Sequence, residues 1–533
     1  MLMLVSTRGL VLALAGTLIL SGAAAVDSQQ PTLDLIITNT QLIDGTGAPV
    51  RRADIGIASG KIARIGDLAG AQARARIDAG GQVVSPGFID VHTHADNLAN
   101  SPLAPNFVRM GVTSIVAGNC GSSALDVREA LDRIAVAGPT VNFATLVGHN
   151  TVRIAVMGSS EREPTADELE RMKAFIARAM ADGAVGFSTG LQYVPGTYAK
   201  SAEILELARA AAGGLYATHM RNEGTALQDA VRESIDVARA LGMRLQISHL
   251  KVDSPSRWGA SAAALRLIDD ARAQGVDVRA DQYAYTAGSS SLSIRFPSWA
   301  LEGGDDRVRE RLNDGATWAR IKKEMIGLYE ERGFKDLSWA AVASYRPDPS
   351  LNGLSMKDVA LKLEGSTTAD AQLEAARRLM IAGGASMVYH FMSEDDIERI
   401  MKHPQVAVAS DSGVLQPGAG VPHPRGNGNT VRVLGEYVRE RKVITLEEAV
   451  RKMTSLPARH FGFRDRGEIR QGAAADLVVF DPARVRDRAT YASPHAAPEG
   501  ILHVLVNGLF VVRDGEPTAE RPGVVLRAEA KGR

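Results

Sequence analysis

Six side chains of metal-ligand type recur between residues 92 and 411 of this chain: His92, His94, Cys120, His219, His249 and Asp411. Two of its 11 histidines stand one residue apart in "GFIDVHTHADN", just where a short apolar run ends. Side chains alternate along extended backbone, so His92 and His94 point to the same side. The others close similar runs: Cys120 in "GVTSIVAGNCG", His219 in "GGLYATHM", His249 in "RLQISHL" and Asp411 in "QVAVASDSG". Imidazole and thiolate donors fit Zn²⁺, which takes N and S ligands at tetrahedral sites. A carboxylate beside such an ion can move the proton of an attacking water. One buried histidine or cysteine is ordinarily a core residue. Asp-Ser-Gly alone ordinarily makes a turn or a cap. Six ligand types at the ends of five strands demand a common cause, and a metal site supplies it.

The elements that position these residues read as eight repeats. "GFIDVHTH", "GVTSIVAGNCG", "TVNFATLVGHN", "GAVGFSTGL", "GGLYATHM", "RLQISHL", "VDVRADQYAY" and "QVAVASDSG" are short apolar runs rich in branched residues. Such runs predict strands buried on both faces, as in a parallel sheet. Between them "DELERMKAFIARAMADG", "TALQDAVRESIDVARALG" and "AAALRLIDDARAQG" carry apolar positions at helical spacing and end at glycine. Eight strands with helical crossovers predict an α/β fold of the (β/α)8 TIM type, with the ligands at the carboxyl ends of the strands. The competing open doubly wound sheet would carry a glycine-rich phosphate loop after its first strand, and none is present.

Three segments break the repeat. About a hundred residues separate the seventh run from the eighth, too many for a loop, so an inserted subdomain is expected over about 296–385. Turn-rich alternating stretches at 30–85 and 461–525 predict a small β-sandwich built from both chain ends, flanking the barrel at 86–460. Residues 1–25 have a basic residue, an apolar run and small residues near Ala25, the layout of a cleaved signal peptide; a retained anchor is the alternative. Export, to the periplasm in a bacterium, is the expectation, with no stable membrane insertion after cleavage. The 61 basic side chains balance 61 acidic ones, so charge gives no case for a nucleic acid partner. The single cysteine excludes an internal disulfide. Oligomeric state is not encoded in any pattern of the chain.

Taken together, "PGFIDVHTHADN", "GNCGSS", "GLQYVPG", "THMRNE", "ISHLK" and "ASDSG" resemble the N-acyl-D-amino-acid deacylases (D-aminoacylases) of the metal-dependent amidohydrolase superfamily. The resemblance runs over nearly the whole chain after the signal segment. It implies a Zn²⁺ held tightly by Cys120, His219 and His249, and a second, weaker site formed by His92, His94 and Asp411 sharing Cys120. It also implies that the carboxylate of a small N-acyl amino acid substrate is held by Lys251, Tyr283, Ser289 and Arg295, while Tyr193 orients the amide. Asp411 would then be the catalytic proton carrier. For Arg295 a solvated surface arginine is the competing reading. His149 is expected to be structural, and His390, His403, His423, His460, His495 and His503 have no assigned part. The rival activities are hydrolysis of cyclic amides or dipeptides by another amidohydrolase, and metal binding without catalysis. Cyclic amidases of the superfamily usually use a carboxylated lysine on the fourth strand, and "GFSTGL" has none.

Overall fold

The computed structural model describes residues 32–528, so the expected signal segment lies outside the described residues. Every one of the eight runs is a strand: Phe88–Asp90, Val112–Ala117, Asn142–Thr145 continued by Val147–Gly148, Gly186–Gly190, Leu215–His219, Arg244–Ile247, Val278–Gln282 and Val406–Val408. Each pairs with its neighbours in parallel. They form a three-stranded and a six-stranded sheet, because the third strand is interrupted at Leu146. Residues of the chain's C-terminal tail lie beside that strand, with Phe143 N donating to Val524 O and Leu526 N to Phe143 O. The first and eighth strands also meet: Asp411 N donates to His92 O and His94 N to Ser412 O, both at 2.9 Å.

The crossover helices follow their sequence signals. Ala166–Ala181 starts with a reciprocal cap between Thr165 and Glu168, which satisfies backbone N–H groups that have no partner inside the helix. Leu227–Leu241 buries Leu227, Val231, Ile235 and Ala238 on one face and stops at Gly242. There φ is 61°, a left-handed conformation that costs glycine nothing. Among the described residues no helix is long and apolar enough to cross a membrane.

Strands from both ends of the chain share a sheet. One four-stranded sheet comes from residues 33–78 alone. A seven-stranded sheet joins Val83–Pro86 of the N-terminal segment to Leu477–Phe480 of the C-terminal one. Leu35, Ile37, Ile57, Val84, Leu477, Val479 and Leu505 fill one core shared by both segments.

The unit between the seventh and eighth parallel strands has its own core, containing Trp318, Ile321, Met325 and Tyr389. Its sheet pairs Ala287–Ser291 and Ala340–Ser344 with Ser386–His390, all antiparallel. It therefore extends past the expected 296–385 at both ends. "AGSSS" gave no strand signal because its small polar residues lack the apolar alternation of a half-buried strand. Ser289 on the strand Ala287–Ser291 and Arg295 on the short 3-10 helix Leu292–Arg295 that follows it line the same pocket as His219, His249 and Asp411.

Candidate metal centre

The six ligand-type residues meet in two overlapping groups. Cys120 Sγ lies 3.2 Å from His92 Nε2 and 3.5 Å from His249 Nε2, and His219 Nδ1 lies 2.8 Å from His249 Nε2. Asp411 Oδ1 lies 3.1 Å from His94 Nε2 and 3.5 Å from His92 Nε2. Thus His92 and His94 do reach the same point, and Cys120 stands between the two groups. All are buried except His94, whose side chain is 38% exposed.

Three of these residues sit on backbone that L side chains rarely adopt: φ is 54° at Cys120, 35° at His249 and 52° at Asp411. Such conformations cost roughly 1–3 kcal/mol each and persist only where the surroundings fix them. Here they do. Asn119 Nδ2 donates to Val116 O, and Ser188 Oγ accepts from Gly121 N while donating to Gly118 O, which pins the Cys120 loop. His249 N donates to Asp281 Oδ1 at 2.8 Å, and Asp411 N is held by His92 O. Gly190 is part of the same device, since a Cβ there would stand 2.1 Å from Cys120 O. Gly190→Ala is therefore expected to displace the cysteine, lower stability by about 2–3 kcal/mol and reduce bound zinc. Thermal unfolding together with metal analysis of the purified variant checks this.

Burial acts to raise the Cys120 thiol, but His92 and His249 outweigh it and hold the group well below its ordinary range. A thiolate and ring nitrogens converging in a buried cluster are a donor set that zinc would bind by taking the place of the protons the imidazoles otherwise carry. Three of the histidines have a polar side chain beside the outward nitrogen: Glu223 Oε1 at 2.9 Å from His249 Nδ1, Gln192 Oε1 at 3.0 Å from His219 Nε2, and the Asp281 carboxylate at 3.3 Å from His92 Nδ1, without the alignment of a hydrogen bond. This is the arrangement that fixes the tautomer of a metal-bound imidazole. The residues fit zinc.

The cluster opens into a narrow pocket with a cavity volume of about 20 Å³, whose wall includes His219, His249, Asp411, Lys251, Tyr283, Ser289, Arg295 and Tyr193. All five expected substrate contacts therefore share one cavity with His219, His249 and Asp411. Lys251 Nζ is 2.6 Å from Glu223 Oε1, and Tyr193 Oη is 3.3 Å from His219 Nδ1. Ser289 Oγ donates to Met387 O at 2.9 Å, so the hydroxyl must turn before it can donate to a carboxylate. Arg295 is not a surface residue. It is 5% exposed, its guanidinium carbon lies 4.3 Å from the Tyr389 ring centre and 5.0 Å from that of Trp339, and its Nε has no partner among the described residues. His149 is buried with Nε2 2.9 Å from Glu203 Oε1, the structural part expected of it.

Four residues of this site went unnoticed in the sequence: Gln192, Glu223, Asp281 and Arg425. Arg425 is buried, with Nη1 2.8 Å from Asp411 Oδ2 and its guanidinium 4.6 Å from the Tyr283 ring centre. Burial would raise the Asp411 carboxyl, but Arg425, then His92 and His249, hold it well below the usual range. Glu223, four residues beyond His219 in "THMRNE", offered the one usable signal.

A thiolate–imidazole cluster with an adjoining carboxylate, at the carboxyl ends of parallel strands, defines a metal-dependent hydrolase. Residues 75–512 match the model of the amidohydrolase family, and residues 16–85 that of the urease alpha-subunit N-terminal domain. The chain is 41% identical to N-acyl-D-glutamate deacylase of Alcaligenes xylosoxydans xylosoxydans, over 94% of its own length and 98% of that protein. It is 37% identical to D-aminoacylase of the same organism, over 94% and 99%. The crystal structure of N-acyl-D-glutamate deacylase from Bordetella bronchiseptica, complexed with zinc and a phosphonate mimic of the tetrahedral intermediate, superposes with a TM-score of 0.80 at 39% identity, covering 93% of this chain and 100% of that one. The chain belongs to the amidohydrolase family, in its N-acyl-D-amino-acid deacylase branch.

Proposed function

We propose that this enzyme hydrolyses the amide bond of N-acyl-D-amino acids, releasing a carboxylic acid and a free D-amino acid, with zinc as cofactor. The observation that carries the proposal is the shared cavity: His219, His249 and Asp411 of the ligand set and Arg295, a buried cation set against aromatic faces rather than carboxylates, line the same pocket. Bound there, zinc supplies Lewis acidity toward a water and an amide carbonyl. Cys120, His219 and His249 would hold the tight ion, and His92, His94 and Asp411, with Cys120, a second and weaker one.

The protein's own groups do the rest. Asp411 accepts a proton from the attacking water and returns it to the leaving nitrogen. Arg425 keeps that carboxylate ionised and aimed. Lys251, Tyr283, Ser289 and Arg295 hold the substrate carboxylate, so the configuration at Cα is read by position. Tyr193, beside His219, orients the amide. Arg295→Met should raise KM by about 10–100-fold while kcat stays within a few-fold, because the lost contact exists before and during the reaction. Steady-state kinetics on one N-acetyl-D-amino acid decides this.

In the same reading the two parallel sheets act as one closed eight-stranded barrel over 86–460, with the paired chain ends as a separate β domain. The enzyme is exported after removal of residues 1–25. The deciding experiment is a panel of N-acetyl-D- and N-acetyl-L-amino acids, hydantoins and dipeptides, assayed with and without a chelator. Chelator-sensitive release from the D series alone supports the proposal; zinc without turnover, or turnover of the cyclic amides, sinks it.

A further inference from the structure

Glu223 is placed where two parts of the site compete for one oxygen. It is 3% exposed, on the loop after the fifth parallel strand. Its Oε1 accepts from Lys251 Nζ at 2.6 Å and lies 2.9 Å from His249 Nδ1, while Oε2 is 3.7 Å from His219 Nε2. Lys251 Nζ is itself only 2.8 Å from His249 Nδ1 and can donate to that nitrogen while it carries no proton, so a proton on Nδ1 sets the two groups against each other. Asp253 N donates to Glu223 O at 2.9 Å, and Arg332 holds Asp253, so the loop has little freedom to separate the three groups.

A histidine that faces a metal through Nε2 carries its proton on Nδ1 and must donate it outward. Lys251 has three protons and no other carboxylate at this distance. Both donors therefore converge on Glu223 Oε1. A substrate carboxylate arriving in the clamp gives Lys251 a second acceptor, and Glu223 is then left to His249. We propose that Glu223 is a positioning residue that couples carboxylate recognition at Lys251 to the orientation of His249. The inference rests on the substrate reading above, and it makes the free carboxylate part of the activation of the site, beyond its part in binding.

The test is a double-mutant cycle of Glu223→Gln and Lys251→Met in the zinc-loaded enzyme, with Glu223→Asp as the conservative variant. Two readouts are taken: kinetics on an N-acetyl-D-amino acid, and the rate at which a chelator removes zinc. Glu223→Gln should lower kcat by about 10–100-fold and hasten zinc loss by about tenfold, with KM changed less than kcat. Glu223→Asp should recover part of both. Lys251→Met should slow zinc loss when Glu223 is present, because Glu223 is then left to His249, and should change it by less than about threefold in the Glu223→Gln background, where there is no shared carboxylate to compete for. Effects that simply multiply in the double variant, or a Glu223→Gln enzyme altered in KM alone, would overturn the proposal. The zinc-release cycle is read without any substrate, so a wild-type enzyme inactive on D-amino acid amides would sink the substrate reading and leave the coupling measurable.

Discussion

Cys120→Ala should leave a folded protein that binds almost no zinc and has lost at least about 10³-fold in kcat/KM. The size follows from the position of the sulfur. It lies within 3.5 Å of ring nitrogens from both ligand groups, so both lose their common donor at once. A metal centre supplies several kcal/mol of transition-state stabilisation, and each 1.36 kcal/mol is tenfold in rate. The fold itself should tolerate the change, because alanine is smaller and the loop is held by Asn119 and Ser188 rather than by the thiol. Retaining φ near 54° without the metal bond is the remaining cost, so a modest fall in stability is expected. Metal analysis and kinetics on the same preparation check both halves. An alanine variant with full zinc content, or with turnover within tenfold of wild type, would remove Cys120 from the centre.

The same residue explains why so much of the site was legible in the sequence. The chain has one cysteine and 11 histidines, and rare ligand types at matching strand ends are informative because chance seldom places them so. Asp281, Glu223 and Arg425 lie as close to the chemistry, yet they are drawn from 61 acidic and 61 basic side chains and carry no such contrast. Their parts depend on distances between loops that only packing sets. Gln192 sits inside the quoted "GLQYVPG", but nothing in an isolated amide side chain shows that it will meet His219 Nε2. The parallel strands were readable for a different reason: strands buried on both faces are continuous apolar runs, whatever their tertiary neighbours. Ala287–Ser291 failed that criterion, as its edge is serine-rich and partly exposed. Arg295 shows the limit from the other side. Its identity suggested a carboxylate contact, but its burial came from Trp339, Tyr389 and Phe391, residues 44 or more positions away that the linear sequence does not bring near.

Asp411→Asn is the second large effect, and it separates holding the metal from moving the proton. Asparagine keeps the shape, the backbone bond from residue 411 to His92 O, and an oxygen able to meet His94 Nε2, 3.1 Å from the present carboxylate. Cys120, His219 and His249 are untouched, so the tight zinc should remain at close to one equivalent. What is lost is a group that can take a proton and give it back, worth about 10²–10⁴-fold in rate. The charge partner of Arg425 disappears as well, 2.8 Å away and buried. An unpaired buried cation is costly, so Asp411→Asn should also lose stability, by about 3–5 kcal/mol if nothing compensates. Pairing the substitution with Arg425→Met should restore much of that stability and none of the rate. Such a split locates the catalytic loss in proton transfer, because repair of packing and charge leaves it unchanged. If the paired variant instead regained turnover along with stability, Asp411 would be a structural partner of Arg425, and another residue would have to carry the proton.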